Sequence, residues 1–326
     1  MTSIPKLRHL EAAHAQIAPS VHRTPVVSSS ALSERIGHPM LLKCENLQKT
    51  GSFKVRGALN ALLEMNTDER ANGVVTVSAG NHAQAVAWAA AKIGMQSTVV
   101  MNAQASPTKA RASESYGANV ILHGTALEAF ELSSVLAKEH NLTFIHPFDD
   151  PTIVAGHATV GIEILDEVPE ASTVVVPIGG GGLISGVSLA ASLVRPGTTK
   201  VFGVEPEGAC AMRKSLDEGT AVHLESVDTI ADGLAAPMAG ELNFEIIQRF
   251  VEDIVVVSDS EIQEAMAFLL ARTKLLVEPA GAASVAALLA GKIHCGDGPV
   301  VALLSGGNVD LERLAELLPR SDRQRS

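Results

Sequence analysis

The feature that most constrains this chain is a recurring couplet, a short β-branched run followed by a turn of small residues and then a helix-length segment. The clearest copy is "VVTVSAGNHAQAVAWAAAKIG". Here Val74–Val77 reads as a strand and the alanine-rich stretch that ends at Gly94 as a helix. The pattern continues through "STVVM", the helix "SPTKARASESYG", the strand "NVILH", the helix "TALEAFELSSVLAKEH" and the strand "LTFIH". After "HPFDDP" a second series follows: "STVVVPIGGGGLISGVSLAASLV", "TKVFGVEPE", "EDIVVVSDSEIQEAMAFLLART" and "GPVVALLSGGNVDLERLAELL". Ser258 or Ser260 is placed to cap the helix of the third unit. Strands separated by helices of this length need right-handed crossovers, so the expected fold is α/β with parallel-rich sheets. Ligands of such folds collect outside the carboxyl ends of the strands. The closing "SDRQRS" reads as a frayed polar tail.

Composition narrows the partners. At 326 residues, 46% of them hydrophobic, the chain is long enough for about two domains with a large core. Its formal charge is −11 and no basic block stands out, which argues against nucleic acid and against anionic membranes. Neither a signal peptide nor a membrane-spanning run is visible, so the expected location is cytoplasmic. Cys44, Cys210 and Cys295 form an odd, sparse set without metal-site spacing, and each reads as a small buried hydrophobe.

The loops after the strands hold the chemistry. Gly179, Gly180, Gly181 and Gly182 follow "TVVVP" and open a helix, leaving backbone N–H groups beside the positive end of a helix dipole, as a phosphate site requires. A lone glycine run is more often a flexible turn. A dinucleotide-binding module also stays open here, because Glu205 ends the next strand where a ribose-binding acid would sit. The loop "SAGNHAQ" offers Ser78, Asn81 and His82, which taken alone serve equally as helix caps and a structural histidine. "LLSGGN", Ser305 to Asn308, is a third loop of the same kind. Lys54, in "TGSFKVRGA", lies between apolar neighbours at a helix start, where partial desolvation would lower its pKa and free its amine for Schiff-base chemistry.

Six segments, "LLKCENLQKTGSFKVRGA", "SAGNHAQAVA", "VPIGGGGLISG", "TIADGLA", "EPAGAA" and "LLSGGNVD", occur in an order and context that resembles the serine/threonine dehydratases, fold type II pyridoxal-phosphate enzymes similar to the tryptophan synthase β subunit. The resemblance implies two three-layer α/β domains, residues 1–72 plus 151–326 forming a large cofactor-binding domain and 73–150 a small one. It implies that Lys54 carries pyridoxal 5'-phosphate as the internal aldimine, that Phe53 packs on the cofactor ring and that Asn81 bonds its phenolic oxygen. Gly179 to Gly182 with Leu183 would hold the phosphate, Gly233 and Glu278 would border the cofactor, and Ser305 would meet the pyridine nitrogen. The substrate carboxylate would sit on Ser78, Ala79, Gly80, Asn81 and His82. A neutral hydroxyl at the pyridine nitrogen makes the ring a weaker electron sink. Immediate loss of a β-hydroxyl is then favoured over a long-lived carbanion.

The activity so implied is β-elimination of water from L-threonine or L-serine, giving a 2-oxo acid and ammonia. Other β-hydroxy amino acids, such as 3-hydroxyaspartate or phenylserine, are alternative substrates, and serine racemisation is the alternative reaction. Related racemases place a serine where this chain has Ala79, and a methyl group cannot carry a proton. A related divalent-cation site would use Glu205 and the Ala209 carbonyl here. Its aspartate position is Ala211, which argues against a bound Mg²⁺ or Ca²⁺. Asp232 and Gly233 are expected to shape the pocket, a φ > 0 turn being the plainer reason for Gly233, and Glu205 reads equally as a surface or salt-bridged residue. A homodimer or homotetramer is expected from the resemblance, and feedback control through a C-terminal regulatory domain is not.

Overall fold

The computed structural model describes residues 3–318, so the "SDRQRS" tail lies outside the described residues. Its strands are β1 (Val26–Ser28), β2 (Met40–Cys44), β3 (Val74–Val77), β4 (Ser97–Met101), β5 (Asn119–Leu122), β6 (Thr143–Phe144), β7 (Thr173–Pro177), β8 (Lys200–Pro206), β9 (Asp253–Val257) and β10 (Val300–Leu304). They form two sheets. One has the order β1-β2-β10-β7-β8-β9 and the other β5-β4-β3-β6. Every pairing is parallel except β1 against β2. The expected α/β fold with parallel-rich sheets is therefore the one observed.

Alternation along the strands builds a core on each face of the larger sheet. On β10, Val300, Ala302 and Leu304 point into one apolar cluster while Val301 and Leu303 point into the other. All five are buried, which is why "VVALL" is apolar at every position rather than at every second one. Ser258, not Ser260, caps the Asp259–Phe268 helix, accepting from the Glu261 N–H while Glu261 returns the bond. Among the cysteines only Cys44 is buried. Cys210 and Cys295 lie partly exposed at loop positions, which corrects the expectation of three core residues.

Two helices lock the site's scaffold. The Lys54–Glu64 helix crosses the Pro151–Glu167 helix at a point where both carry glycine. A Cβ on Gly156 would lie 2.5 Å from the Arg56 carbonyl oxygen, and one on Gly57 would lie 2.5 Å from Nε2 of His157. Only bare backbone allows this approach. Gly156→Ala is expected to cost about 1–3 kcal/mol, the usual range for overpacking. A midpoint in urea unchanged from the parent would contradict that.

Candidate active site

Between the carboxyl ends of the two sheets lies one cavity of about 650 Å³, within the range of small-molecule sites. Its walls bring together Phe53, Lys54, the Ser78–His82 loop, the Gly179–Leu183 loop, Gly233, Glu278 and Ser305. Residues spread over most of the sequence thus face one space. Glu205 and Ala209 line no part of it.

Lys54 is the first residue of its helix. Its Nζ donates to the Pro147 carbonyl at 2.7 Å and stands 5.2 Å from the centre of the Phe53 ring. Among the described residues no carboxylate pairs with it, and loss of solvent brings its pKa down to about 8. A substantial share of the amine is therefore neutral near physiological pH and able to attack a carbonyl. The loop that carries it is held to the end of β10 by the Phe53 N–H to Ser305 carbonyl bond, the Gly307 N–H to Gly51 carbonyl bond and a Ser52 to Gly306 bridge.

The glycine loop runs from β7 into the Gly182–Val194 helix with Gly181 at φ 98°. Among the described residues, no oxygen accepts from the N–H groups of Gly179, Gly180, Gly181, Gly182 or Leu183. Uncommitted donors at the positive end of a helix fit a phosphate dianion. Phe148, also on the cavity wall, presses on the loop. A Cβ on Gly180 would fall 2.4 Å from its ring, and one on Gly182 would fall 2.7 Å from its carbonyl oxygen. Asn243 ties the two together, donating to the carbonyls of Phe148 at 3.0 Å and Gly180 at 2.9 Å.

In the Ser78–His82 loop, Ser78 Oγ accepts from the Gly80 N–H at 3.1 Å. It caps its own turn and leaves the following helix, whose N-cap is Gly80, without a side-chain cap. Ala79 stands on the cavity wall. His82 is buried, with Nε2 3.3 Å from the Ile145 carbonyl oxygen, and burial drives its pKa well down, so the ring is neutral. Asn81 Nδ2 donates to Glu278 Oε1 at 2.6 Å. Burial, aided by the negative charge of Asp232, pushes Glu278 up to about 8, so its carboxyl is mostly protonated at neutral pH. Its place before a helix N-terminus does not reverse that, because it makes no cap hydrogen bond.

Two expectations need correction, the φ > 0 turn at Gly233 and the surface or salt-bridged Glu205. Gly233 is not at positive φ. A Cβ there would meet the Ala280 Cβ at 2.8 Å, so close packing is what selects glycine. Asp232, beside it on the cavity wall, is exposed and pairs with Lys109. Glu205 is neither a surface nor an ion-paired residue. It is buried, and its carboxylate oxygens accept from the N–H groups of Met212 at 2.9 Å and Arg213 at 2.7 Å. Burial raises its pKa to about 8. Among the described residues no group of three or more acidic, histidine or cysteine side chains could hold a metal ion.

Sequence reasoning missed Pro147, Phe148, Lys109, Asn243 and His157. "HPFDDP" signalled only a break between two series, although the residues just beyond a strand's carboxyl end are where a partner for Lys54 could be sought. His157 gave no signal. It is buried, stacks edge-on to Phe53 at 4.8 Å, and neither ring nitrogen has a partner.

Comparison with known proteins decides the family. The model described as "Pyridoxal-phosphate dependent enzyme" matches residues 17–306. The chain belongs to that family. Its cofactor is pyridoxal phosphate. It is 44% identical to an L-threonine ammonia-lyase of Thermotoga maritima over 299 residues, 91% of this chain and 74% of that protein. Among solved structures it superposes on the threonine deaminase of T.th. with a TM-score of 0.89 at 42% identity, covering 94% of this chain and 99% of that one. On maize serine racemase the TM-score is 0.92 at 37% identity, covering 96% and 97%. The family's cofactor fits the residues present: a phosphate-sized row of N–H groups without an acceptor among the described residues, an amine held only by a backbone carbonyl, and a hydroxyl, Ser305, all lining one cavity.

Proposed function

We propose that this enzyme is a threonine/serine ammonia-lyase that eliminates water from L-threonine, and also from L-serine, to release an enamine that water then hydrolyses to a 2-oxo acid and ammonia. The observation that carries the reading is Lys54, an amine with lowered pKa and no ion partner facing the free N–H row of the glycine loop across one cavity. The names of the relatives given above support the substrate. Pyridoxal phosphate supplies an electron sink for the bond broken at the substrate's Cα. The chain's own groups do the rest. Gly179 to Leu183 hold the phosphate through N–H donors, Asn81 offers an amide N–H, and Phe53 covers one side. Ser305 presents a hydroxyl, which places no charge at the ring nitrogen. The Ser78–His82 loop takes the substrate carboxylate, and the Lys54 amine moves the Cα proton. We also assign residues 73–150, which contain β3 to β6, as a small domain and the remainder as the large one. An intracellular, cytoplasmic setting agrees with three unpaired cysteines, and a homo-oligomer is part of the same reading.

Ala79 argues for elimination over racemisation, since the cavity wall carries a methyl at that point. The likeness to serine racemase makes this a direct test. Purified enzyme with pyridoxal phosphate is expected to release 2-oxobutanoate and ammonia from L-threonine, with D-serine from L-serine below a few per cent of turnover. No 2-oxo acid from L-threonine, or D-serine as the main product, overturns the reading. The low-pKa amine predicts a further result. Capture of pyridoxal phosphate by cofactor-free protein should quicken as pH rises and level off above about 8, where Lys54 has lost its proton. A rate still climbing at pH 10 would show an ordinary lysine.

A further inference from the structure

The side chain that faces the cavity between Lys54 and Glu278 is an amide, and an amide can present either an N–H or a C=O. Which end Asn81 presents is decided outside the cavity. Asn308 Nδ2 lies 2.6 Å from the Thr50 carbonyl oxygen and 2.8 Å from Asn81 Oδ1. A backbone carbonyl can only accept, so the group facing Thr50 must be the NH₂ of Asn308. Its second hydrogen then fixes the facing atom of Asn81 as oxygen, and the Asn81 NH₂ is directed to Glu278 Oε1 at 2.6 Å. That bond uses one of its two hydrogens, and among the described residues no protein acceptor takes the other.

Asn308 is itself held. Its side chain packs on Gly51, where a Cβ would fall 2.3 Å from Asn308 Oδ1, and Gly51 is at φ 72°. Thr50 beside it adopts φ 55°, uncommon for a non-glycine residue, which turns its carbonyl to Asn308. The Gly307 N–H binds the Gly51 carbonyl at 2.9 Å. The loop that delivers Lys54, the loop after β10 and the Asn81 amide are therefore joined through one side chain.

We infer that Asn308 is a positioning residue that sets the polarity of the Asn81 amide, so that an N–H and not a carbonyl meets the phenolic oxygen of pyridoxal phosphate. The inference rests on the assignment of Asn81 to that oxygen made above. In the wild-type state the thread runs from the Thr50 carbonyl through two amides to Glu278. Without the Asn308 donor, the Asn81 amide is free to turn its oxygen toward the cofactor, where two acceptors repel.

The test is a double-mutant cycle on pyridoxal phosphate affinity, read by absorbance titration of cofactor-free protein. Asn308→Ala is expected to weaken binding about tenfold with Asn81 present and less than twofold in the Asn81→Ala background. The pH at which the Lys54-dependent absorption band changes should shift in the first case and stay put in the second. Equal losses in both backgrounds, or an unshifted band, would show that Asn308 only supports the fold and would overturn the inference. If Asn308→Ala does not fold, Asn308→Ser, which keeps a polar group at Thr50 but is too short for Asn81, goes through the same cycle with the same deciding outcomes. If Asn81→Ala itself leaves affinity and band unchanged, the assignment of Asn81 fails, and the inference falls with it. A wild-type protein with no Lys54-dependent band would instead fell the assignment of the lysine.

Discussion

Lys54→Ala is expected to give a folded, colourless protein in which turnover of L-threonine has fallen by at least on the order of 10⁴-fold, the upper end for a positioned proton-transfer group. On the function proposed above the residue has two tasks, covalent attachment of the cofactor and movement of the Cα proton, and alanine performs neither. Stability should change little. The side chain makes one hydrogen bond, to the Pro147 carbonyl, a loss of about 1 kcal/mol. Relief of a poorly solvated ammonium offsets part of that, as its lowered pKa indicates. Lys54→Arg separates charge from chemistry. A guanidinium keeps the positive charge and a donor for Pro147 but does not form a Schiff base, so it should be as inactive as the alanine variant. Activity in either variant above about one per cent of wild type would mean that another group carries the proton. A collapse of the melting transition in both would mean that Lys54 is structural.

Much of this site was readable from residues that share a loop. "SAGNHAQ", "IGGGGL" and "LLSGGN" each follow an apolar strand, and period, turn chemistry and strand polarity place all three at one end of the sheets. The contacts between loops were not readable. Asn81 meets Glu278 across 197 residues and Asn308 across 227, distances over which a single sequence holds no pairing signal. β1 and β2 were missed for a different reason. β1 has only three residues and the helix that follows it, Ser30–Ile36, only seven, so this unit is too short to show the couplet by which the other strands announce themselves. The sequence also gives no hint that Glu205 is spent on a helix N-terminus, because an acidic residue at a strand end looks the same whether it meets a ribose, a cation or two backbone N–H groups.

Arg56, two positions after Lys54, is the largest fully buried side chain among the described residues. Its guanidinium donates to both oxygens of Glu45 at 2.8 Å and to the two oxygens of Glu163 at 2.7 and 2.9 Å, with Thr159 Oγ1 at 3.1 Å. Lys43, also buried, approaches Glu163 at 2.8 Å. Two cations and two carboxylates thus share a dry site that pins the Lys54–Glu64 helix to the Pro151–Glu167 helix. Removing one partner strands the others, so Arg56→Met is expected to destabilise by about 3–5 kcal/mol at pH 7, a drop of roughly 10 °C in the melting midpoint. The sign with pH follows from Glu163. In the native protein burial opposes its charge, but Arg56 and Lys43 outweigh that and hold its pKa below the usual carboxylate value. Its contribution is then present above about pH 4.5 and lost as pH falls through the lowered value. Without Arg56, burial is opposed only by Lys43, Glu163 is easier to protonate, and the gap between variant and wild type should narrow from pH 7 to pH 5. Adding Glu45→Gln to Arg56→Met removes the stranded charge while leaving Lys43 paired with Glu163, and should recover a large part of the loss. An Arg56→Met protein that melts within 2 °C of wild type at pH 7 would mean that water or a shifted helix already solvates these carboxylates, and the pinning of the lysine helix would have to come from the Gly57–Gly156 contact alone.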